Sequence, residues 1–510
     1  MNVALLILVI FFAASLGLGL WSRRGKDMDM EGWSVGGRNL GSIIVFLLLA
    51  GEIYTTFTFL GASGWAYAHG GAAYYILCYG SLAYVISYWL APAIWRYGKQ
   101  MRLLSQPDWW VSKYKSRTSG TVVAIVGIVA MIPYLELQLA GLGIIVNATS
   151  YGKISTTTAE WCGAVALVAY VVVSGIHSAA SNAVVKDIIV LVIVVALGIY
   201  LPLHLGGGFE HLFQQLEGNG LPDAWAKGGV SLRLSENGYD MGWFVTNVLM
   251  STLGFFMWPH YFGAVYAADN PKTFRRNAVL LPLYQLVILF VFFIGFTAAL
   301  ALKVVPDGGA NNALLEIVTQ ELPQWLVGLV GAAGLFCALV PGAMLLTTCG
   351  TSISTNLYKP LFPKASAASA RIVAKVSVPV VALVALYLLF QGGQAIVSLL
   401  LLGYAFVTQL LPSMLASLLK KNPVSSWGAT AGMVVGVLLV TWFSLDSSVY
   451  HDGVTTFGFL PDPLQHTAIG IVALVANIIV MVAVSAVTPG SRPEPDEGPA
   501  PQRLATVTGG

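Results

Sequence analysis

Two acidic residues lie deep inside long apolar runs of the sequence, where a charged side chain is costly. Glu52 lies in the run FLLLAGEIYTTFTFLGASGWAYAHGG, and Glu136 lies in IPYLELQLAGLG. A carboxylate at the centre of a lipid bilayer costs roughly 2.5–3.5 kcal/mol, so it must face protein, water or an ion. Glu52 is therefore either a group that binds an ion or substrate, or a protonated acid that is hydrogen-bonded within the protein.

Hydroxyl and amide side chains follow each of these acids closely. Such groups could donate hydrogen bonds to an anionic substrate, although a threonine hydroxyl in a helix can equally bond the carbonyl one turn back. The candidates for substrate contact from these two runs are Thr55, Thr56, Thr58 and Gln138.

A third apolar run, VTNVLMSTLGFFMWPHYFGAVYAA, contains a proline that predicts a break. Pro259 cannot donate a helical hydrogen bond and clashes with the preceding turn. Backbone amides freed before the break, near Ser251 and Thr252, could bind an anion because the positive ends of half-helices attract one. Phe255 and Trp258 could wall such a site or gate it, or they could simply pack.

The composition indicates a membrane protein. Of the 510 residues, 57% are hydrophobic and 10% are charged, whereas a soluble domain carries about 25% charged residues. The net charge of +3 gives no reason to expect a nucleic-acid partner. The sequence shows no HExxH, GxSxG or P-loop pattern and no cysteine–histidine cluster. We therefore expect no enzymatic activity, no catalytic residues and no cofactor.

About thirteen apolar runs are long enough to cross roughly 30 Å of hydrocarbon. The first has no basic residue before it and two arginines after it, which predicts a retained helix rather than a signal peptide. By approximate position the runs are 2–21, 41–65, 73–95, 120–147, 160–177, 185–205, 242–266, 278–302, 325–356, 373–392, 395–419, 425–445 and 464–487.

The distribution of basic residues orients these spans. With the N-terminus outside and the C-terminus inside, most of the 26 Lys and Arg residues fall on the inner side, as the positive-inside rule requires. We predict an all-α polytopic membrane protein with one transmembrane domain over 1–487. The segment 488–510, rich in Pro, Gly and charge, is predicted to be a disordered cytoplasmic tail.

The second and seventh spans stand five spans apart, and both contain helix-disturbing residues near mid-depth. Matching broken helices in two halves of a transporter mark its binding site, because freed backbone groups can bind ions and substrate. We therefore predict two inverted repeats of five helices, over about 41–205 and 242–419, with extra helices at the ends.

Several segments resemble the sodium/solute symporter family: SVGGRNLG, FLGASGWAYAHGG, SQPDWWVSKYKSR and LVPGAMLLTTCGTSISTNLYK. The resemblance implies a LeuT-type fold and ion-coupled transport by alternating access. AGEIYTTFTF, ALVPGAM and MWPHYFGAVYAADNPKTFRRNAVLLPLYQL are similar to the bacterial monocarboxylate permease branch. That similarity implies import of a small carboxylate such as pyruvate, lactate or acetate across the cell inner membrane.

The family resemblance also implies where sodium would bind. The family uses two backbone carbonyls of the broken second span, which correspond here to Gly51 and Tyr54. It also uses a carbonyl and two adjacent hydroxyls of the ninth span, which correspond to Cys337, Val340 and Pro341. Valine and proline carry no hydroxyl, so we expect this sodium site to be incomplete.

Asp187 matches the family's acidic residue on the cytoplasmic ion-release route. From the residues alone, it is equally an interfacial ion pair with Lys186. A proton is then the leading coupling ion, since a buried carboxyl group such as Glu52 could load and release one. Sodium coupling and uncoupled exchange remain open.

The expected partners are a short organic acid and membrane lipid. No Lys or Arg is predicted at mid-membrane to pair with the anion. The alternative function is sodium-coupled symport of a neutral solute such as an amino acid.

Overall fold

A computed structural model describes residues 2–217, 234, 238–302, 306, 309–392, 395–451 and 453–489 of the chain. These residues are almost entirely helical. The helices of the first half are α1 (Val3–Trp21), α2 (Met30–Val35), α3 (Ser42–Ala50), α4 (Ala62–His69), α5 (Tyr74–Gln100), α6 (Gln106–Tyr114), α7 (Arg117–Thr149), α8 (Thr156–Ser174), α9 (Ile176–His204) and α10 (Phe209–Glu217).

The second half begins with a broken pair of helices and ends with a hairpin before the last helix. Its helices are α11 (Met241–Gly254), α12 (Pro259–Ala267), α13 (Lys272–Gln285), α14 (Ile288–Ala301), α15 (Ala313–Glu321), α16 (Gln324–Ser352), α17 (Lys359–Leu361), α18 (Ala367–Gln391), α19 (Ile396–Thr408), α20 (Leu411–Ser417), α21 (Ser426–Leu445) and α22 (Ile469–Val487). The antiparallel hairpin consists of β1 (Tyr450–His451) and β2 (Val454–Thr455).

The described residues contain ten helices long and apolar enough to cross a membrane, or up to twelve if each of two bent pairs is one span. The predicted second span is not separate in this count, because its second half is counted together with the third span as Phe57–Gln100, and α3, with nine residues, is too short to count alone. The number thirteen and the N-out orientation therefore stay predictions. Residues 490–510, most of the predicted tail, lie outside the described residues.

Both predicted breaks are present. The second span is interrupted between Ala50 and Thr56 and resumes as a π-helical turn, Phe57–Gly61, that leads into α4. In the seventh span, α11 passes through a 3-10 turn into an extended residue, Trp258, and α12 leaves at an angle of 48°. Pro259 explains the position, because the residue before a proline is pushed out of the helical conformation.

The two broken spans are tied together at one end. The amide of Leu40, just before α3, donates to the carbonyl of Ala267, and the amide of Asp269 donates to the carbonyl of Leu40. The start of one broken span thus meets the end of the other, as expected for inverted repeats. A third bend, of 40° between α19 and α20, was not predicted; Pro412 lies in the first turn of α20.

Helix α16 forms the centre of the bundle, packed against α1, α7, α9 and α18. It continues through Pro341 without a break, and nearly every residue from Val327 to Ser352 is buried. This burial explains why the ninth span is rich in Gly, Ala, Ser and Thr. Small side chains allow neighbouring helices to approach closely inside a membrane.

Candidate functional site

A small cavity lies where the two broken spans meet α5, α7 and α19. Its volume is about 20 Å³, enough for a single water molecule. Any organic substrate must therefore displace side chains, so the structure shows the site closed. The lining residues are Glu52, Phe57, Tyr79, Tyr134, Phe255, Trp258, His260, Tyr261, Leu400 and Tyr404.

The cavity contains a buried pair of ionisable groups, one from each broken span. His260 Nε2 lies 2.9 Å from Glu52 Oε2, and both side chains are at most 3% exposed. The Tyr134 hydroxyl makes a longer contact of 3.5 Å to the same oxygen. Glu52 Oε1 and His260 Nδ1 have no hydrogen-bond partner among the described residues. The carboxyl group and the imidazole therefore each keep one polar atom that a ligand could contact.

The remaining wall is aromatic. The ring of Trp258 lies 5.0 Å from that of Tyr134 and 5.4 Å from that of Tyr404, measured between centroids. Tyr404 in turn lies 5.5 Å from Tyr79. These separations are typical of edge-to-face contacts, which exclude water while leaving hydroxyl groups at the ring edges. The cavity therefore surrounds one ionisable pair with a largely apolar, low-dielectric wall.

A second feature occupies the break in the second span itself. The Lys186 ammonium, carried by α9, donates to the carbonyls of Gly51 and Tyr54, the latter at 2.8 Å. Its Nζ lies 3.6 Å from Asp187 Oδ1, and Lys186 is fully buried. A cation is thus bound at backbone carbonyls that a helix break has freed.

The sequence comparisons identify the family. The model of the sodium:solute symporter family matches residues 33–436. The chain belongs to this family. An uncharacterized symporter of Bacillus subtilis, YhjB, is 51% identical over 96% of this chain and 98% of its own length. A monocarboxylate transport permease protein of Rhizobium johnstonii is 29% identical, again over 96% of this chain and 98% of its own.

Among solved structures, a Na⁺-coupled sialic acid symporter in a substrate-bound, outward-open state has the same fold. Its TM-score is 0.74 at 14% sequence identity, and the match covers 96% of this chain and 98% of that one. The predicted LeuT-type architecture is confirmed by this likeness. The protein is a multi-span membrane symporter that moves a small molecule with a coupling ion, and it is not an enzyme.

The symporter brings only some of the predicted substrate residues to the cavity. Phe255 and Trp258 line it. Thr56 instead donates to Gln138 Oε1 at 2.6 Å and so joins the second span to α7, while Gln138 Nε2 has no partner among the described residues. Thr58 donates to the Ile53 carbonyl at 2.7 Å.

The other predicted hydroxyls are also not in the lining. The Thr55 oxygen accepts from the amide of Phe57 at 3.2 Å. Thr252 faces an apolar groove between α5, α11 and α20, and its hydroxyl makes a long contact to the Tyr79 carbonyl. Ser251 is fully buried, and its hydroxyl has no partner among the described residues. Only Thr55 and Thr58 thus bond backbone groups of the same broken segment, which is the alternative that applies to any threonine in a helix.

The predicted ion-coupling residues converge more closely. Gly51 and Tyr54 share one bound cation, and Asp187 is beside it. Cys337, Val340 and Pro341 are buried in α16, which packs against α9. No Lys or Arg was expected at mid-membrane to pair with the anion. The Lys186 side chain does carry its ammonium into the break, but there it contacts carbonyls and Asp187 and does not line the cavity.

Seven cavity residues were not proposed from the sequence: Phe57, Tyr79, Tyr134, His260, Tyr261, Leu400 and Tyr404. His260 directly follows the predicted break at Pro259, and Tyr134 lies two residues before Glu136. A rule that favours ionisable and hydroxyl-bearing side chains next to a helix break would have selected His260. Tyr79, Tyr134 and Tyr404 lie inside α5, α7 and α19, where nothing in the local sequence distinguishes them from packing residues.

Proposed function

We propose that the protein imports a small monocarboxylate together with a proton across the bacterial plasma membrane, by alternating access. The observation that carries this proposal is the buried Glu52–His260 pair in the wall of the closed cavity. The similarity to a Rhizobium monocarboxylate permease supports the substrate class. The bacterial relatives support the location.

The pair supports coupling through a simple charge argument. Without a shared proton, neutral His260 and ionised Glu52 together carry one negative charge, which repels a carboxylate substrate. With one proton the pair is neutral overall, and the imidazole can donate a hydrogen bond. In a site of low dielectric this difference is large. Substrate anion and proton would therefore bind together, which is the requirement for symport.

The aromatic wall supports a small substrate. Pyruvate, lactate and acetate each combine a carboxylate with one or two apolar carbon atoms. The carboxylate would contact His260, and the short tail would pack against Trp258 and Leu400. A closed cavity of about 20 Å³ needs modest side-chain displacement for such molecules and much more for a large solute.

The amine at the span-two break supports a proton rather than sodium. The carbonyls that the family resemblance assigns to sodium already accept hydrogen bonds from Lys186. The ninth-span positions that the resemblance assigns to the same site, Val340 and Pro341, carry no hydroxyl.

The test is uptake of radiolabelled pyruvate, lactate and acetate into proteoliposomes, with proton and sodium gradients imposed separately. We expect uptake under an inward proton gradient without sodium. Uptake that requires sodium would refute proton coupling, and uptake of neutral amino acids alone would refute the substrate class. Empty liposomes and an ionophore that collapses the proton gradient are the controls.

A further inference from the structure

Lys186 is unlike every other lysine that the structure describes, since it alone is fully buried. A lysine in the interior of a membrane protein is costly unless its charge is paired and its protons are hydrogen-bonded. Here the ammonium has two carbonyl acceptors, Gly51 and Tyr54, and the Asp187 carboxylate beside it. Helices α3 and α9 are therefore joined through one amine at the point where the second span is broken.

We propose that Lys186 is a tethered cation that replaces a free monovalent cation at the span-two break. Its ammonium holds together carbonyls that would otherwise need sodium. The inference deepens the proposed proton-coupled function, which it rests on for its biological meaning. It concerns a separate site and is tested by a separate measurement.

The ligand set supports this assignment. Two backbone carbonyls and a carboxylate are oxygen donors of the kind that hard cations prefer. An ammonium offers three N–H donors, so it can satisfy both carbonyls and still attract Asp187. The local charge then sums to zero, which makes burial tolerable. Lys186 thus meets the requirement that a free cation would meet, without leaving the protein.

The backbone at the break is shaped for this contact. A Cβ added at Gly51 would lie 3.2 Å from Lys186 Nζ, and 3.0 Å from the Leu47 carbonyl oxygen. A side chain at this position would be in tight contact with the amine, and glycine avoids that contact. The close approach therefore depends on the backbone at the end of α3 as well as on the Lys186 side chain of α9.

A tethered cation and a free cation leave the carbonyls at the break in different ways. A free ion leaves the site by diffusion and its binding depends on its concentration. Lys186 can leave the carbonyls only if α9 and the second span move apart or its side chain swings away. Removal of the amine should therefore expose an oxygen-lined space that a small cation can occupy.

The test compares thermal unfolding of detergent-purified wild type, Lys186→Ala and Lys186→Met in sodium chloride and in choline chloride at equal ionic strength. Lys186→Ala opens the space, whereas Lys186→Met fills it with an apolar chain of similar length. We expect saturating sodium to raise the melting temperature of Lys186→Ala by about 2 °C or more, as mass action predicts for a ligand that binds the folded state. Wild type and Lys186→Met should not respond.

An equal response to sodium in wild type and Lys186→Ala would overturn the proposal, as would no response in any of the three proteins when Lys186→Ala is folded. If Lys186→Ala fails to fold in both salts, the wild type decides. Its stabilisation by sodium would contradict a tethered cation, whereas no response in wild type and Lys186→Met would support one. Because no substrate is used, failure of monocarboxylate uptake would refute the proposed function and leave this result unaffected.

Discussion

The substitution Glu52→Gln isolates the charge on which the proposed coupling depends. Glutamine has nearly the same shape, and its amide oxygen can still accept from His260 Nε2, which lies 2.9 Å from the present carboxylate oxygen. The variant removes the negative charge of the unprotonated site and the proton-binding group together. It should therefore separate substrate binding from the proton gradient.

The size of the expected effect follows from the geometry of the cavity. His260 Nε2 contacts Glu52, so a substrate carboxylate would accept from the free Nδ1 across the imidazole, about 7 Å from an ionised Glu52. At an effective dielectric constant near 20, two like charges at that separation repel by about 2.4 kcal/mol. This corresponds to roughly fiftyfold weaker binding. The wild-type site with an ionised Glu52 should therefore bind the substrate more weakly than the Glu52→Gln site, by up to this factor.

Two proteoliposome assays measure this difference. Counterflow exchange of labelled substrate reports binding and translocation without a gradient, and it should persist in Glu52→Gln. Concentrative uptake driven by an inward proton gradient should be lost. Glu136→Gln is the matched control, because it neutralises the other predicted intramembrane acid, which does not line the cavity. Full proton-driven uptake by Glu52→Gln would refute the coupling argument.

Two further substitutions test the cavity wall and the buried pair. A Cβ at Gly403 would lie 2.5 Å from the Trp258 ring, so Gly403→Ala should displace that ring and weaken substrate binding at least tenfold in a counterflow titration; Gly17→Ala, which meets nothing within 4 Å, should have no effect. His260→Ala leaves the Glu52 carboxylate buried without its partner and should cost about 3–5 kcal/mol of unfolding free energy. Adding Glu52→Gln should recover part of that loss, and strictly additive losses would show that the two side chains do not interact.

Much of the fold could be predicted because a membrane restricts the possible architectures. Hydropathy identifies spans by length, and Pro259 marks a helix break by its missing amide hydrogen. The break near Gly51 could be predicted because Glu52 and its polar neighbours lie at mid-depth, where polar groups need partners. The bend near Pro412 was missed because an apolar run conceals a proline when neighbouring helices still cover the freed backbone.

The site was less predictable because its residues come from five separate spans. Glu52 and Trp258 could be selected by type and position, but their partners depend on how helices pack. Thr58 illustrates the difficulty, since its hydroxyl is placed like a ligand-binding group and yet bonds the Ile53 carbonyl. Distances between spans are set by side-chain volumes over the whole interface, and a single sequence does not contain them explicitly.

Lys186 shows how a local interpretation can select the right pair for the wrong reason. Adjacent residues Lys186 and Asp187 at the start of a span suggest an ion pair at the membrane surface, and an ion pair of 3.6 Å is present. The closer contacts of the amine, however, are backbone carbonyls more than 130 residues earlier in the chain. A lysine side chain reaches about four methylene groups from its helix, so its charge need not lie at the depth of its backbone.

The unusual ninth-span residues become understandable once that reach is recognised. Val340 and Pro341 would be defects in a sodium site, because neither offers an oxygen to a cation through its side chain. An ammonium with two carbonyls and a carboxylate already has acceptors for its protons, and hydroxyls from α16 are then unnecessary. Apolar side chains at Val340 and Pro341 of α16 are thus compatible with an amine from α9 at the break. On this argument, Val340→Ser alone should not make the melting temperature depend on sodium while Lys186 is present. In the Lys186→Ala background it should increase the rise in melting temperature that sodium causes, because only the vacated site can use the added oxygen.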